Sequence, residues 1–122
     1  MEKNNFNIGI DIEDIKRFKK MAFSASLLNK IFTDKERAYC LAKHAPAQHL
    51  AARFAAKEAV SKALSVTGGL KLEASDYKKI EITHGRNGEP NAKIKGLKNY
   101  FIKISLSHCS DKAVAVAMII KK

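Results

Sequence analysis

The segment RFAAKEAVSKAL, residues 53–64, decides the reading of this chain. Wound as an α-helix at about 100° per residue, it gathers Ala52, Ala55, Ala56, Ala59 and Ala63 on one broad face and sets Phe54, Glu58, Ser61 and Lys62 opposite. Side chains as small as alanine let another backbone approach closely, so this face predicts a long helix laid against a sheet. The opposite face carries charge beside an aromatic ring, which is not an ordinary solvent face. Glu58 and Lys62 stand at i and i+4 in the favoured order, worth about 0.2–0.5 kcal/mol as a surface ion pair. Arg53, Lys57 and Lys62 around one carboxylate also suit a second use, because Mg²⁺ takes one or two carboxylates together with phosphate oxygens and water. That use needs a second acid. Asp11, near the C-terminal end of a strand, is the candidate; a turn or helix-capping role is the plain alternative.

Outward from this helix the chain alternates element types. FNIGIDI, residues 6–12, alternates Phe6, Ile8, Ile10 and Ile12 with smaller or polar residues and reads as a strand with one apolar face. EDIKRFKKMAF, residues 13–23, places Ile15, Phe18 and Ala22 at helical spacing among Lys16, Arg17, Lys19 and Lys20, a basic amphipathic helix. SASLLNKIF reads as a short helix, and Thr33 to Glu36 form a Ser/Thr-x-x-Glu capping box that starts another. Pro46 suits the first turn of the long helix, which is expected to end near Thr67-Gly68-Gly69. Beyond residue 70, KKIEITH and NAKIKG flank the Asn87-Gly88 turn signal, and Pro90 argues for an edge. YFIKISLSH and KAVAVAMII make a further antiparallel pair, the second apolar on both faces. The expectation is one α+β domain over residues 1–122, a mainly antiparallel sheet packed with a long central helix.

Composition narrows the partners. The chain has 122 residues and a formal charge of +11, from 23 Lys and Arg against 12 Asp and Glu. That balance favours nucleic acid, an anionic membrane, a phosphorylated metabolite or an acidic protein. Cys40 and Cys109 lack metal-ligand spacing, and MEKNNFNIGIDIED is charged where a signal peptide needs an apolar run, so a cytoplasmic protein with reduced thiols is expected. No apolar run reaches the roughly 18 residues of a membrane span. His44 and His49, at i and i+5, are poor metal partners and read as surface residues. Ser107-His108 has no third orienting group to make a hydrolase triad. A small RNA-binding domain would use the same charge, but no aromatic RNA-binding signature is present, and three Tyr with no Trp give little stacking surface.

GIDI with Asp11, IFTDKE with Glu36, RFAAKEAVSKAL, NGEP, and SLSH followed by AVAVAMI together resemble the holo-[acyl-carrier-protein] synthases, small bacterial-type 4'-phosphopantetheinyl transferases. The resemblance runs in order from about residue 8 to residue 120. It implies a compact α+β fold assembled as a homotrimer with active sites between subunits. The implied substrates are coenzyme A and an apo-acyl carrier protein, with Mg²⁺ as cofactor. The implied reaction moves 4'-phosphopantetheine to a carrier serine and releases 3',5'-ADP, a step of fatty acid biosynthesis; nucleic acid and membrane are not implied as partners.

Carried over residue by residue, Asp11 and Glu58 match the metal-binding acids, and Lys62 matches the lysine near the coenzyme A diphosphate. Glu58 and Lys62 are then the catalytic pair, with the base either Glu58 itself or a metal-bound water. Arg53, His108 and the turn with Asn87 and Pro90 match contacts at the nucleotide end. Lys57 and Ser61, on the same helix, complete the expected coenzyme A set. Arg17 matches an arginine that pairs with the carrier's acidic helix, assisted by Lys16, Lys20 and Lys30. Two departures predict local rearrangement: Lys43-His44-Ala45 stands where many members have a basic pair, and LSVTGG replaces the usual Phe-Gly-Thr-Gly.

Overall fold

The computed structural model describes residues 5–67 and 72–122. In chain order it contains β1 (Phe6–Asp14), α1 (Ile15–Met21), α2 (Ala25–Ile31), α3 (Asp34–Leu41), α4 (Pro46–Thr67), a 3-10 helix (Ala74–Lys79), β2 (Ile80–His84), β3 (Pro90–Ile94), β4 (Tyr100–His108) and β5 (Lys112–Lys121). The architecture is α+β, as the alternation of patterns predicts. Gly68 and Gly69, where the long helix was expected to end, lie outside the described residues.

Local chemistry accounts for most boundaries. Ser24 Oγ accepts from Leu27 N at the start of α2. At α3 the capping box is complete, with Glu36 N donating to Thr33 Oγ1 at 3.2 Å and Thr33 N to Glu36 Oε1 at 2.8 Å. Helix α1 is shorter than its periodicity suggests. Glu13 and Asp14 stay in the strand because the ladder to β5 runs on through Asp14 opposite Lys112, and Ile15 N then donates to Asp111 O.

Strands β1, β5 and β4 form one antiparallel sheet in that order, while β2 and β3 form a separate hairpin. Gly88 in the hairpin turn has φ +82°, the left-handed conformation that the Asn-Gly pair supplies. Helix α4 crosses the sheet with its alanine face down. Ala113, Ala115 and Ala117 of β5 are fully buried opposite it, and Gly9 of β1 leaves so little room that an added Cβ would sit 1.9 Å from Ala59 O.

The apolar row of β1 points away from this core. Gly9, Asp11 and Glu13 take the helix side, whereas Ile8, Ile10 and Ile12 are each about 60% exposed. Val116 and Phe101 extend the same outward face. Close helix-sheet contact selects small inward residues, so the large β-branched ones are left outside. Both faces of β5 are thus apolar, but only the alanine face is covered within the chain.

Lys57 corrects an expectation. Its ammonium lies wholly inside, donating to Glu36 Oε1 at 2.8 Å and to the carbonyls of Ile31, Tyr77 and Ile80 at 2.6–3.0 Å. Glu36 Oε2 in turn accepts from Ile82 N. The ion pair and its hydrogen bonds therefore tie α2, α3, α4, the 3-10 helix and β2 together and leave no part of the Lys57 side chain at the surface to meet a ligand.

Candidate active site

Two clusters emerge on different sides of α4. The first is acidic. Asp11 projects from the inner face of β1, and Lys62 reaches across from α4 to Asp11 Oδ1 at 3.3 Å and to Ile10 O at 3.1 Å. Asp11 Oδ2 is buried and has no hydrogen-bond partner among the described residues. Glu58, one turn before Lys62, is half-buried, and its carboxylate acts on the Tyr77 phenol. Burial, reinforced by Glu58, pushes the Tyr77 phenol well above its ordinary range, so it remains a proton donor toward that carboxylate.

Glu13 completes this cluster, two residues beyond Asp11 on the same strand face. Its Oε1 accepts from Arg17 Nη1 at 2.9 Å. Burial first, then the hydrogen bond and charge of Asp11, push its carboxyl up to about 7, with Arg17 pulling the other way. Neither Glu13 nor Tyr77 figured in the residue reading. The two-residue spacing from Asp11 could have identified Glu13; nothing local to Tyr77 points to Glu58.

The acidic cluster fits a hard divalent cation. Asp11 Oδ1 already pairs with the Lys62 ammonium, so the carboxylate accommodates positive charge, and among the described residues its buried Oδ2 has no partner. Among the described residues no three His, Cys, Asp or Glu side chains converge as a ready-made metal cage. Few protein carboxylates, with the remaining positions left to phosphate and water, is the arrangement Mg²⁺ favours.

The second cluster is basic. Arg53 is only 2% exposed, with Nη2 2.9 Å from His84 Nδ1 and the guanidinium 4.0 Å from the Tyr39 ring centre. His84 stacks on Tyr39 at 4.7 Å, His49 meets it edge-on, and Lys43 Nζ lies 4.4 Å from the same ring centre. Arg53 Nε is buried and has no acceptor among the described residues. Tyr39, Arg53 and His84 line a cavity of about 210 Å³ with Lys35, Ile82 and Thr83.

Burial, then the charges of Arg53 and Lys43, lower the pKa of both His49 and His84. His49 also feels His108, which is exposed at the end of β4. His49 is therefore half-buried in this cluster rather than a surface residue, while His44 is exposed. Tyr39 and His84 were missed by the residue reading because only the tertiary fold stacks α3 on β2. Asn87 is exposed and Pro90 half-buried in the hairpin, with Pro90 paired opposite His84. Lys43, in the segment that departs from the family pattern, still brings a cation here.

The expected docking residues lie on the α1–α2 surface. Lys16, Lys20 and Lys30 are exposed. Arg17 is 56% exposed, with its guanidinium 5.1 Å from the Phe54 ring centre and 5.2 Å from that of Phe18. A larger groove of about 790 Å³, among Thr33, Lys35, Lys78, Lys79, Lys93 and Lys95, contains none of the expected site residues.

The sequence matches the family model described as the 4'-phosphopantetheinyl transferase superfamily over residues 7–118. It is 43% identical over 119 residues to the holo-[acyl-carrier-protein] synthase of Chlamydia muridarum, with 93% of each chain covered. It is 42% identical over 120 residues to that of Moorella thermoacetica, with 91% of each covered. Among solved structures, the Bacillus anthracis holo-(acyl-carrier-protein) synthase in complex with CoA (3',5'-ADP) superposes with a TM-score of 0.78 at 30% identity, covering 94% of this chain and 96% of that one. The Helicobacter pylori enzyme in complex with coenzyme A gives 0.76 at 32% identity, covering 93% and 99%.

Proposed function

We infer the activity from the family, because the chain belongs to the 4'-phosphopantetheinyl transferase superfamily: it transfers 4'-phosphopantetheine from coenzyme A to a serine of apo-acyl carrier protein. The observation that carries the assignment of residues is Asp11, paired with Lys62 and carrying a buried oxygen that has no partner among the described residues, with Asp11 and Glu58 both acting on the Glu13 carboxyl. Asp11 and Glu58 would hold Mg²⁺, which when bound supplies Lewis-acid polarisation of the phosphoryl oxygens.

The chain's own groups then divide the work. Lys62, 55% exposed, can leave Asp11 to neutralise charge on the diphosphate. The serine Oγ forms a bond to the β-phosphorus as the bond to the bridging oxygen breaks, and 3',5'-ADP departs. The serine proton passes to Glu58, directly or by way of water, with the Tyr77 phenol kept protonated beside that carboxylate. Arg53, His84, Lys43 and His108 offer donors and charge for the 3'-phosphate, with Asn87 and Pro90 at the adenosine.

Helix α4 sends Arg53 to β2 and Lys62 to β1, so the two clusters face apart within one chain. The outward row of Ile8, Ile10, Ile12, Val116 and Phe101 supplies an uncovered apolar face. Three copies packing those faces would bring one chain's acidic cluster against its neighbour's basic cluster, and closed symmetry avoids open-ended growth. Residues 1–122 act as one domain in this reading, and the enzyme works in the cytoplasm with the carrier held by Arg17, Lys16, Lys20 and Lys30. Among the described residues no helix is long and apolar enough to cross a membrane.

Mass spectrometry of apo-carrier protein incubated with this chain, coenzyme A and Mg²⁺ tests the reaction. A gain of one phosphopantetheine, abolished by chelation, is expected. An unchanged carrier mass with a folded protein rejects the assignment, and salt-sensitive retention of RNA would then favour a nucleic-acid role.

A further inference from the structure

Arg17 has an unusual setting for a surface arginine. More than half of it is exposed, yet its guanidinium is held from one side by Glu13 Oε1 at 2.9 Å and rests near the rings of Phe18 and Phe54. A free arginine on a seven-residue helix samples many rotamers, and ordering it on binding opposes association. Glu13 removes that freedom in advance. Its own side chain is only 10% exposed because it grows from the helix-facing side of β1, so it makes a rigid anchor. The opposite edge of the guanidinium remains open to solvent, where a partner's carboxylate can bind while Glu13 keeps its own contact.

We propose that Glu13 is a positioning residue for the carrier protein: it presets Arg17, beside the rings of Phe18 and Phe54, to receive an acidic side chain of the carrier. The proposal rests on the carrier being the partner of this surface. Phe54 lies one helical turn before Glu58 on α4, so the same geometry places the docked carrier at the reaction centre.

Calorimetric titration with an apo-carrier whose acceptor serine is replaced by alanine, without coenzyme A or metal, separates binding from catalysis. Glu13→Gln keeps the volume and removes the charge. It should weaken carrier binding by about tenfold, the scale of lost preorganisation at one charged contact. Arg17→Ala should weaken binding at least as much, and the double variant no further than Arg17→Ala alone, because Glu13 acts through Arg17. The Arg17 side-chain Nε–H signal should turn from ordered to mobile on ¹⁵N relaxation in Glu13→Gln, with the thermal melt showing the fold intact. Additive losses in the double variant, or an Arg17 signal equally ordered in Glu13→Gln, overturn the proposal. So does unchanged carrier binding in Glu13→Gln accompanied by a loss of Mg²⁺ affinity, which would make Glu13 a metal acid instead. Failure of the unaltered chain to bind the carrier at all would reject the docking assignment itself, while the relaxation measurement still tests whether Glu13 orders Arg17.

Discussion

Lys57 Nζ stands 2.8 Å from Glu36 Oε1 with neither side chain reaching solvent, and this pair with its backbone acceptors joins five elements of the fold. Removing one partner strands a buried charge. Lys57→Met is expected to cost about 3–5 kcal/mol of unfolding free energy. The double variant Lys57→Met with Glu36→Gln should recover part of that loss, because no unpaired charge remains. Chemical denaturation measures both, and a single variant within 1 kcal/mol of the parent, about the scale of an exposed pair, would remove the pair from this structural role.

Gly9 faces Ala59 O where a Cβ would approach to 1.9 Å. Gly9→Ala must push α4 from the sheet, at a cost of about 3 kcal/mol or more, the upper end of overpacking. Gly88→Ala, at a turn with open space around it, should instead show only the strain of positive φ. Equal melting temperatures for Gly9→Ala and the parent would contradict the close contact.

Asp11→Asn and Glu58→Gln should each lower turnover by about 10² or more, comparable with losing a principal electrostatic stabiliser. Titration of Mg²⁺ in the presence of coenzyme A should show weakened metal binding in both, with circular dichroism unchanged. Normal Mg²⁺ affinity in either variant would remove that acid from the metal site.

Ile10 is 58% exposed at the centre of the outward apolar row. Light scattering should report a trimer for the parent and a smaller species for Ile10→Asp, which places a charge where copies are expected to meet. Mixing inactive Glu58→Gln subunits with inactive His108→Ala subunits should restore some activity, since some interfaces would pair both intact residues. A parent monomer at working concentration rejects the trimer; a trimer without recovery after verified exchange rejects only this division of the site.

His49 and His84 have folded pKa values below the ordinary 6.5, through burial and then Arg53 and Lys43. The unfolded chain therefore binds more protons just below pH 6.5, and stability should fall as pH drops from there through the folded values. Arg53→Gln should raise both pKa values and soften the dependence; imidazole NMR titration follows each directly. Added 3',5'-ADP should raise them further by placing phosphate beside the rings, and values insensitive to both changes would dissolve the cluster.

Several features are local and therefore legible in the sequence. The alanine face of α4, the Thr33–Glu36 capping box, the Asn87-Gly88 turn and the alternation of β4 and β5 each depend on residues within one or two turns of one another. Asp11, Glu58 and Lys62 stand out for the same reason, two of them one helical turn apart and the third at the helix-facing side of a strand.

Other features depend on which faces meet. Ile8, Ile10 and Ile12 look like core residues, yet the close approach of α4 at Gly9 reserves the inner side for small residues and turns them outward. Lys57 and Glu58 are adjacent in sequence but about 100° apart around the helix, and only the arrival of Glu36 from α3 commits Lys57 to the interior while Glu58 stays half-buried. His84 and Tyr39 come together although 44 residues separate them in the chain. A linear pattern specifies the direction of a side chain relative to its own element; the rotation and depth of packing between elements decide what that side chain touches.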